Sequence, residues 1–114
     1  MKKIIVVVAA LSCVIMSATP LLIQEAENSG KQLFDETCSS CHTGGFKGWI
    51  TGAPEIGDWD DWEPYFEEGL SIMTKHINGG TEKHEVRGDC EDCTEQQIKA
   101  AIEYIMSETK KENE

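Results

Sequence analysis

The chain is poor in basic residues, and this shortage excludes one large class of functions. Of its 114 residues, 10 are Lys or Arg and 21 are Asp or Glu, so the formal net charge is −11. Nucleic-acid binding depends on clustered Lys and Arg that contact phosphates, so no nucleic-acid partner is expected. An acidic surface favours instead a protein partner with a basic docking surface.

The chain also lacks any long alternation of apolar and polar residues, which is the pattern of a half-buried β-strand. Apolar residues recur instead at helical spacing, and they do so most clearly at Ile98, Ala101, Ile102 and Ile105. Internal repeats are absent, and the length allows one domain without a second core. The sequence therefore predicts an all-α fold with three or four helices.

The predicted helices are separated by segments rich in turn-forming residues. We expect a polar lead-in at residues 24–29, a short helix at 30–38, a second helix from 59 to about 76, and loops at 44–54 and 81–92. The last helix begins after Thr94, which can form a capping box with Gln97. It is expected to end near Ser107, before a frayed and charged tail at residues 108–114.

The first residues resemble an export signal. A basic start, Met1-Lys2-Lys3, precedes residues 4–23, which carry no charge. Two interpretations stay open: a signal peptide that is removed together with Cys13, or an uncleaved helix that anchors the protein in a membrane. Contact with a membrane is expected only if this segment is retained. Either way, the remainder works outside the cytoplasm, in the periplasm, where disulfides persist.

Five cysteines are many for so short a chain, and two of them lie in the pattern C-x-x-C-H at residues 38–42. Two thiols at this spacing can add to the two vinyl groups of haem, and the next residue then lies beneath the iron. Cys38 and Cys41 are therefore the predicted attachment points of one covalent haem c, and His42 is the predicted proximal ligand. Covalent haem also adds apolar core to a chain too short to bury much surface.

Two other uses of the cysteines must be considered. A dithiol redox pair is usually found in a βαβ setting, which this sequence does not predict. The second pair, Cys90 and Cys93, invites a four-cysteine zinc site. The distance between the two pairs far exceeds the usual gap of about 15–20 residues, and zinc leaves His42 without a role.

The haem motif is accompanied by further residues that together resemble a known family. They are Gly52-Ala53-Pro54, Gly57-Asp58, Trp62-Glu63-Pro64, His76, Asn78-Gly79 and the pair Cys90/Cys93 before the final helix. Over about residues 30–107 the chain resembles cytochrome c₅, a class I monohaem cytochrome c. The resemblance implies a periplasmic electron carrier, not an enzyme, whose all-α domain at residues 30–107 surrounds the haem.

The resemblance also implies roles for individual residues. Pro54 matches the proline whose carbonyl accepts the second N–H of the proximal histidine, and Trp62 matches a tryptophan near a haem propionate. Cys90 and Cys93 match a local disulfide that joins the preceding loop to the last helix. Phe34 and Tyr104 are suited to the crossing of the first and last helices.

The sequence departs from the family at the sixth iron ligand. Relatives carry methionine in a loop such as Met-Pro-Pro-Lys-Gly-Gly-Cys, but counting back from Cys90 places His84 at that position. The sequence favours His84 as the second metal ligand. Met73, His76, Lys83 or an open site remain alternatives, although Met73 is expected in the core and His76 at a helix end.

The ligand pair determines the expected function. A second imidazole in place of a thioether lowers the reduction potential, so we expect a single-electron carrier of lower potential than its methionine-ligated relatives. Three alternatives stay open. They are a haem-based sensor with a labile sixth site, a haem subunit of a periplasmic oxidoreductase, and a zinc-bound structural domain.

Overall fold

The structure is a computed structural model that describes residues 19–114. The predicted signal peptide or anchor at residues 1–23 therefore lies outside the described residues, except for the positions that begin the first helix. Among residues 19–114, no helix combines the length and the apolar character needed to cross a membrane.

The described part of the chain is helical, which confirms the predicted all-α class. The helices are α1 (Thr19–Leu33), α2 (Ser39–His42), α3 (Gly45–Thr51), α4 (Trp59–Glu68), α5 (Leu70–Gly79) and α6 (Glu95–Glu112). A π-helical turn, Phe34–Cys38, joins α1 to α2, and a 3₁₀ turn, Val86–Asp89, precedes α6. Within residues 19–114, β-pairing is limited to an isolated bridge between Thr81 and His84.

Several helix boundaries differ from those expected. Helix α1 includes the predicted lead-in, and α3 occupies part of a predicted loop. The predicted helix from residue 59 to 76 is divided at Gly69, whose φ of 90° is incompatible with helix continuation. Helix α6 continues beyond Ser107 to Glu112, so most of the predicted tail is helical.

Helices α1 and α6 form the centre of the fold. A Cβ atom at Gly30 would collide with the backbone carbonyl of Ala100, so the two helices approach as closely as their backbones allow. Phe34 and Tyr104 meet at the same crossing with ring centroids 5.4 Å apart, as predicted. The core consists of buried side chains from α1, α4, α5, α6 and the adjoining turns, namely Leu33, Phe34, Trp62, Met73, Cys93, Ile98, Ala101, Ile102 and Ile105.

Helix α6 begins as the sequence predicts. The hydroxyl of Thr94 accepts the N–H of Gln97 at 3.2 Å, and the Gln97 side chain accepts the N–H of Thr94 at 2.8 Å. This capping box fixes the start of the helix directly after Cys90 and Cys93. The apolar face of α6 is thereby held in register against α1.

Candidate functional site

The two cysteines of the C-x-x-C-H motif lie on consecutive helical turns at the end of the long first helix. Cys38 ends the π-helical turn, and Cys41 lies in α2, one residue before His42. Both thiols are free and partly buried. The pKa of the Cys38 thiol is raised to about 11, mainly because the thiol is buried and to a smaller extent because Cys41 is close.

His42 is held as a neutral imidazole with one nitrogen free. Its side chain is buried, and its Nδ1–H donates to the Pro54 carbonyl at 2.7 Å. Because Nδ1 carries the proton, Nε2 keeps the lone pair that a metal needs. Burial lowers the pKa of His42, the hydrogen bond to Pro54 opposes that shift, and His84 reinforces it.

The loop that carries Pro54 (residues 54–57, the proximal loop) is fixed to its surroundings by backbone groups. The N–H of Ile56 donates to the His42 carbonyl at 2.7 Å, so the loop contacts both the backbone and the side chain of the histidine. Trp62 is buried in α4 and donates its indole N–H to the Glu55 carbonyl at 2.8 Å. Its ring centroid lies 5.4 Å from that of His42. Contact of Trp62 with a haem propionate stays a prediction.

His84 lies opposite His42. The two ring centroids are 6.2 Å apart and the ring planes differ by 24°. The Nδ1–H of His84 donates to the Glu85 carbonyl at 2.8 Å, so this imidazole also keeps Nε2 free. The backbone of His84 pairs with Thr81 through hydrogen bonds of 2.9 and 3.3 Å, which anchor the residue within a short hairpin.

The turn that follows His84 has an unusual backbone. Arg87, Gly88 and Asp89 have φ of 52°, 60° and 67°, and only glycine adopts such values without strain. The Arg87 side chain compensates by donating to the Asn78 side chain and to the Glu91 carbonyl, each at 3.1 Å. Arg87 therefore joins the His84 loop to the end of α5. No pattern in the sequence indicates this role, because Arg87 and Asn78 are nine residues apart and meet only in the folded chain.

The other candidates for the sixth ligand have different surroundings. Met73 is buried in the apolar core, as expected. His76 lies at the end of α5, where its Nδ1 is 3.6 Å from a carboxylate oxygen of Glu68. Lys83 is exposed. The structure thus places the ring of His84 near that of His42, with ring centroids 6.2 Å apart.

The structure gives no support to a zinc site that combines both cysteine pairs. Cys90 and Cys93 lie next to each other with Cα atoms 5.4 Å apart, a separation that a disulfide bond can span. Across the described residues, no group of three or more His, Cys, Asp or Glu side chains is arranged to hold a metal ion.

An all-α domain with a thiol pair and an adjacent buried imidazole whose Nε2 is free defines a haem c protein. Residues 25–105 match the family model described as "Cytochrome C oxidase, cbb3-type, subunit III". The chain belongs to this family of cytochrome c domains, as a class I monohaem c-type cytochrome with one covalent haem c.

Named relatives agree with this assignment. Cytochrome c-555 of Prosthecochloris aestuarii is 30% identical over 88 residues, which cover 70% of this chain and 85% of the relative. Cytochrome c5 of Azotobacter vinelandii is 29% identical over 76 residues, which cover 65% of this chain and 87% of the relative. These similarities confirm the resemblance noted in the sequence, and the chain is an electron-carrier cytochrome.

A solved structure has the same fold. A chain in the crystal structure of the electron transfer complex of nitrite reductase with cytochrome c aligns with a TM-score of 0.63 and 26% identity. The alignment covers 71% of the present chain and 94% of that chain. The all-α cytochrome c fold is thus confirmed by both sequence and structure.

Proposed function

We propose that this protein is an exported carrier of single electrons whose haem iron is held by two histidines, His42 and His84. The observation that carries the proposal is the closeness of the two imidazoles, whose ring centroids are 6.2 Å apart and whose planes differ by 24°. The proposal refines the established electron-carrier class by naming the ligand pair.

The spacing of the rings fits a metal between them. A first-row metal binds an imidazole nitrogen at about 2.0 Å, as zinc does. The nitrogen lies about 1.1 Å from the ring centre, given ordinary ring bond lengths. Two imidazoles that share one metal therefore have centres about 6 Å apart. The separation of His42 and His84 agrees with this value.

The hydrogen bonds of both histidines support the same role. Each ring donates Nδ1–H to a backbone carbonyl, of Pro54 for His42 and of Glu85 for His84. This fixes the tautomer with Nε2 as the coordinating atom, and a carbonyl acceptor increases the electron density on the ring. The protein thereby prepares two similar nitrogen donors that lie close together.

The remaining residues of the site have complementary roles in the proposal. Cys38 and Cys41 form the two thioether bonds, and Pro54 orients the proximal imidazole. Trp62 packs beside His42, where it would lie near a haem propionate, as the family resemblance implies. Cys90 and Cys93 form a disulfide that restricts the loop before α6. When bound, the haem supplies a one-electron redox couple that no side chain of the chain provides.

Two imidazole ligands suit electron transfer at low potential. Imidazole stabilises oxidised iron more than a thioether does, so the potential lies below that of methionine-ligated relatives. With His42 and His84 both holding the iron, no position on the metal would remain for a substrate. We therefore propose a carrier rather than an enzyme.

The proposed partner follows from the net charge, and the proposed location follows from residues 1–23. The net charge of −11 would attract a partner with a basic docking surface, and long-range attraction accelerates encounter. The structural relative was crystallised in an electron transfer complex with nitrite reductase, which supports a larger redox protein as partner. Residues 1–23 direct the domain, residues 30–107, to the periplasm as a signal peptide or membrane tether.

A second candidate has one observation in its favour. The matching family is described as a subunit of a cytochrome c oxidase, so the domain could serve as a fixed haem subunit rather than a mobile carrier. Purification of the native protein distinguishes the two, because a fixed subunit copurifies with a larger redox enzyme at constant stoichiometry.

Spectroscopy of the oxidised protein tests the ligand pair. We expect the wild type to lack the far-red sulfur-to-iron band, His84→Met to gain it, and His84→Ala to become high-spin. His76→Ala is the matched control, since His76 lies at the end of α5 beside Glu68, and its spectrum should equal that of the wild type.

Three results would overturn the proposal. A sulfur-to-iron band in the wild type would show that a thioether is bound. Immediate binding of carbon monoxide by the reduced wild type would indicate a labile sixth site and favour the sensor. A colourless product without iron would show that the protein carries no haem.

A further inference from the structure

The end of helix α6 makes an unexpected contact with the proximal loop. Thr109, in the final turns of α6, has a fully buried side chain with 0% exposure. Its hydroxyl accepts the N–H of Gly57 at 3.1 Å. The Asn113 side chain donates to the Gly57 carbonyl at 2.9 Å and to the Thr109 carbonyl at 2.8 Å. Both backbone polar groups of Gly57 are therefore bonded to residues 109–113, the C-terminal turn.

Glycine is required where the C-terminal turn meets the loop. Gly57 has a φ of 94°, which side-chain-bearing residues rarely adopt. A Cβ atom at this position would also meet the carboxylate of Glu112, the flexible end of an exposed side chain that can move aside, so the positive φ is the stronger reason for glycine. The C-terminal turn thus rests directly on the backbone of Gly57.

The loop held in this way is the one that orients His42. Pro54, three residues before Gly57, accepts Nδ1–H of His42 at 2.7 Å, and Ile56 donates its N–H to the His42 carbonyl at 2.7 Å. The C-terminal turn is therefore connected to the proximal imidazole in three steps: the hydrogen bonds to Gly57, the backbone of residues 54–57, and the hydrogen bond from His42 to Pro54. The C-terminal turn lies outside residues 25–105, which match the family model.

We propose that the C-terminal turn is a positioning device for the proximal iron ligand: Thr109 and Asn113 fix the proximal loop and thereby set the strength of the Pro54–His42 hydrogen bond. The proposal rests on the proposed function only in that His42 binds the iron. It does not depend on the identity of the sixth ligand.

The physical consequence is an effect on the reduction potential. A short hydrogen bond from Nδ1–H to a fixed carbonyl makes the imidazole a stronger donor, which stabilises the oxidised iron. A loop released from the C-terminal turn lets this bond lengthen or break part of the time. Thr109 and Asn113 are thus positioning residues that lower the potential through Pro54, although neither touches the iron ligand.

The test compares Thr109→Val, Asn113→Ala and the double variant with the wild-type haem protein. Valine keeps the shape of threonine and removes the hydroxyl that accepts from Gly57, while Asn113 is exposed, so its loss leaves packing unchanged. Asn28→Ala, at an exposed position in α1, is the matched control for the asparagine change. Lys110→Ala, exposed in the same helix turn, controls for effects of the helix end.

Two readouts report on positioning. Hydrogen exchange at the Gly57 amide and at the His42 Nδ1–H, followed by nuclear magnetic resonance, should accelerate at least about tenfold in the double variant, as expected for hydrogen bonds that open locally. The reduction potential should also rise. At a fixed applied potential, we expect the ratio of reduced to oxidised protein to increase by at most about tenfold, which corresponds to about 59 mV for one electron. The two control variants should show neither change.

The outcomes separate this proposal from the function itself. If the variants lose thermal stability while the potential and the exchange at His42 equal those of the wild type, the C-terminal turn is merely structural and the proposal is wrong. Faster exchange and a higher potential in the variants, with both controls unchanged, support it. If the wild-type protein binds no haem, both the proposed function and this proposal are wrong. If a haem-loaded variant has the same potential as the wild type, only this proposal is wrong.

Discussion

The imidazole rings of His42 and His84 lie with their centroids 6.2 Å apart, although the two residues belong to distant segments of the sequence. His42 follows the cysteine pair at the end of the first helical segment, and His84 lies in the loop between α5 and α6. Only the packing of α1 and α5 against α6 brings these segments together. The pairing is thus a property of the fold and not of either motif alone.

The first prediction concerns the potential of a methionine variant. Replacing His84 by methionine exchanges an imidazole for a thioether, so the potential should rise by on the order of 0.1 V, within the range of about 0.8 V that axial ligands cover. Spectroelectrochemical titration measures the change. Met73→Leu, which preserves the volume of a core residue, should leave the potential unchanged. A large shift in Met73→Leu would indicate that Met73 is the ligand.

The second prediction concerns Arg87. Its two hydrogen bonds hold a backbone with a φ of 52°, so Arg87→Ala should loosen the His84 loop and accelerate binding of carbon monoxide to the reduced protein. We expect a loss of stability of about 1–2 kcal/mol from the missing bonds and the remaining strain. Asn78→Ala should reproduce part of the effect. Lys83→Ala, an exposed position in the same loop, is the control, and a similar response there would contradict the role of Arg87.

The third prediction concerns the crossing of α1 and α6. A methyl group at Gly30 would collide with the backbone of Ala100, so Gly30→Ala should separate the two helices and destabilise the protein by about 1–3 kcal/mol. Thermal unfolding of the haem protein measures the loss. Gly79→Ala is the matched control, because a Cβ atom at Gly79 has open space around it. Equal midpoints of thermal unfolding for the two variants would show that the crossing of α1 and α6 tolerates a side chain at residue 30.

The fourth prediction concerns Cys90 and Cys93. Mass spectrometry of the mature protein should show a disulfide between them, together with a haem on Cys38 and Cys41. Because the disulfide closes a very short loop, replacing both cysteines by serine should cost only about 2 kcal/mol or less. The spectrum of the oxidised protein should stay six-coordinate and low-spin, since the backbone of His84 is also paired with Thr81. Free thiols at both positions in protein purified without reductant would contradict the disulfide.

The sequence indicated the fold class and the resemblance because both depend on local patterns. The spacing of Ile98, Ala101, Ile102 and Ile105 predicted α6, and the capping box at Thr94 predicted where it starts. The helix boundaries were less predictable. Gly69 interrupts a continuous helical pattern because of its positive φ, and α6 extends past Ser107 because Thr109 finds a buried partner in Gly57. The second effect depends on a contact between residues 52 positions apart in the sequence.

The sequence by itself determined the attachment motif, the predicted ligand His42 and the register that places His84 where relatives carry methionine. Each of these depends only on the spacing of residues along the chain, because that spacing determines which thiols and imidazoles can reach one haem. Only the tertiary structure decided that His84 faces His42, that Arg87 holds the loop behind it, and that Thr109 and Asn113 reach Gly57. Each of these contacts joins segments that meet only after α1 and α6 have packed, because burial of their apolar faces, and not any local preference, brings them together.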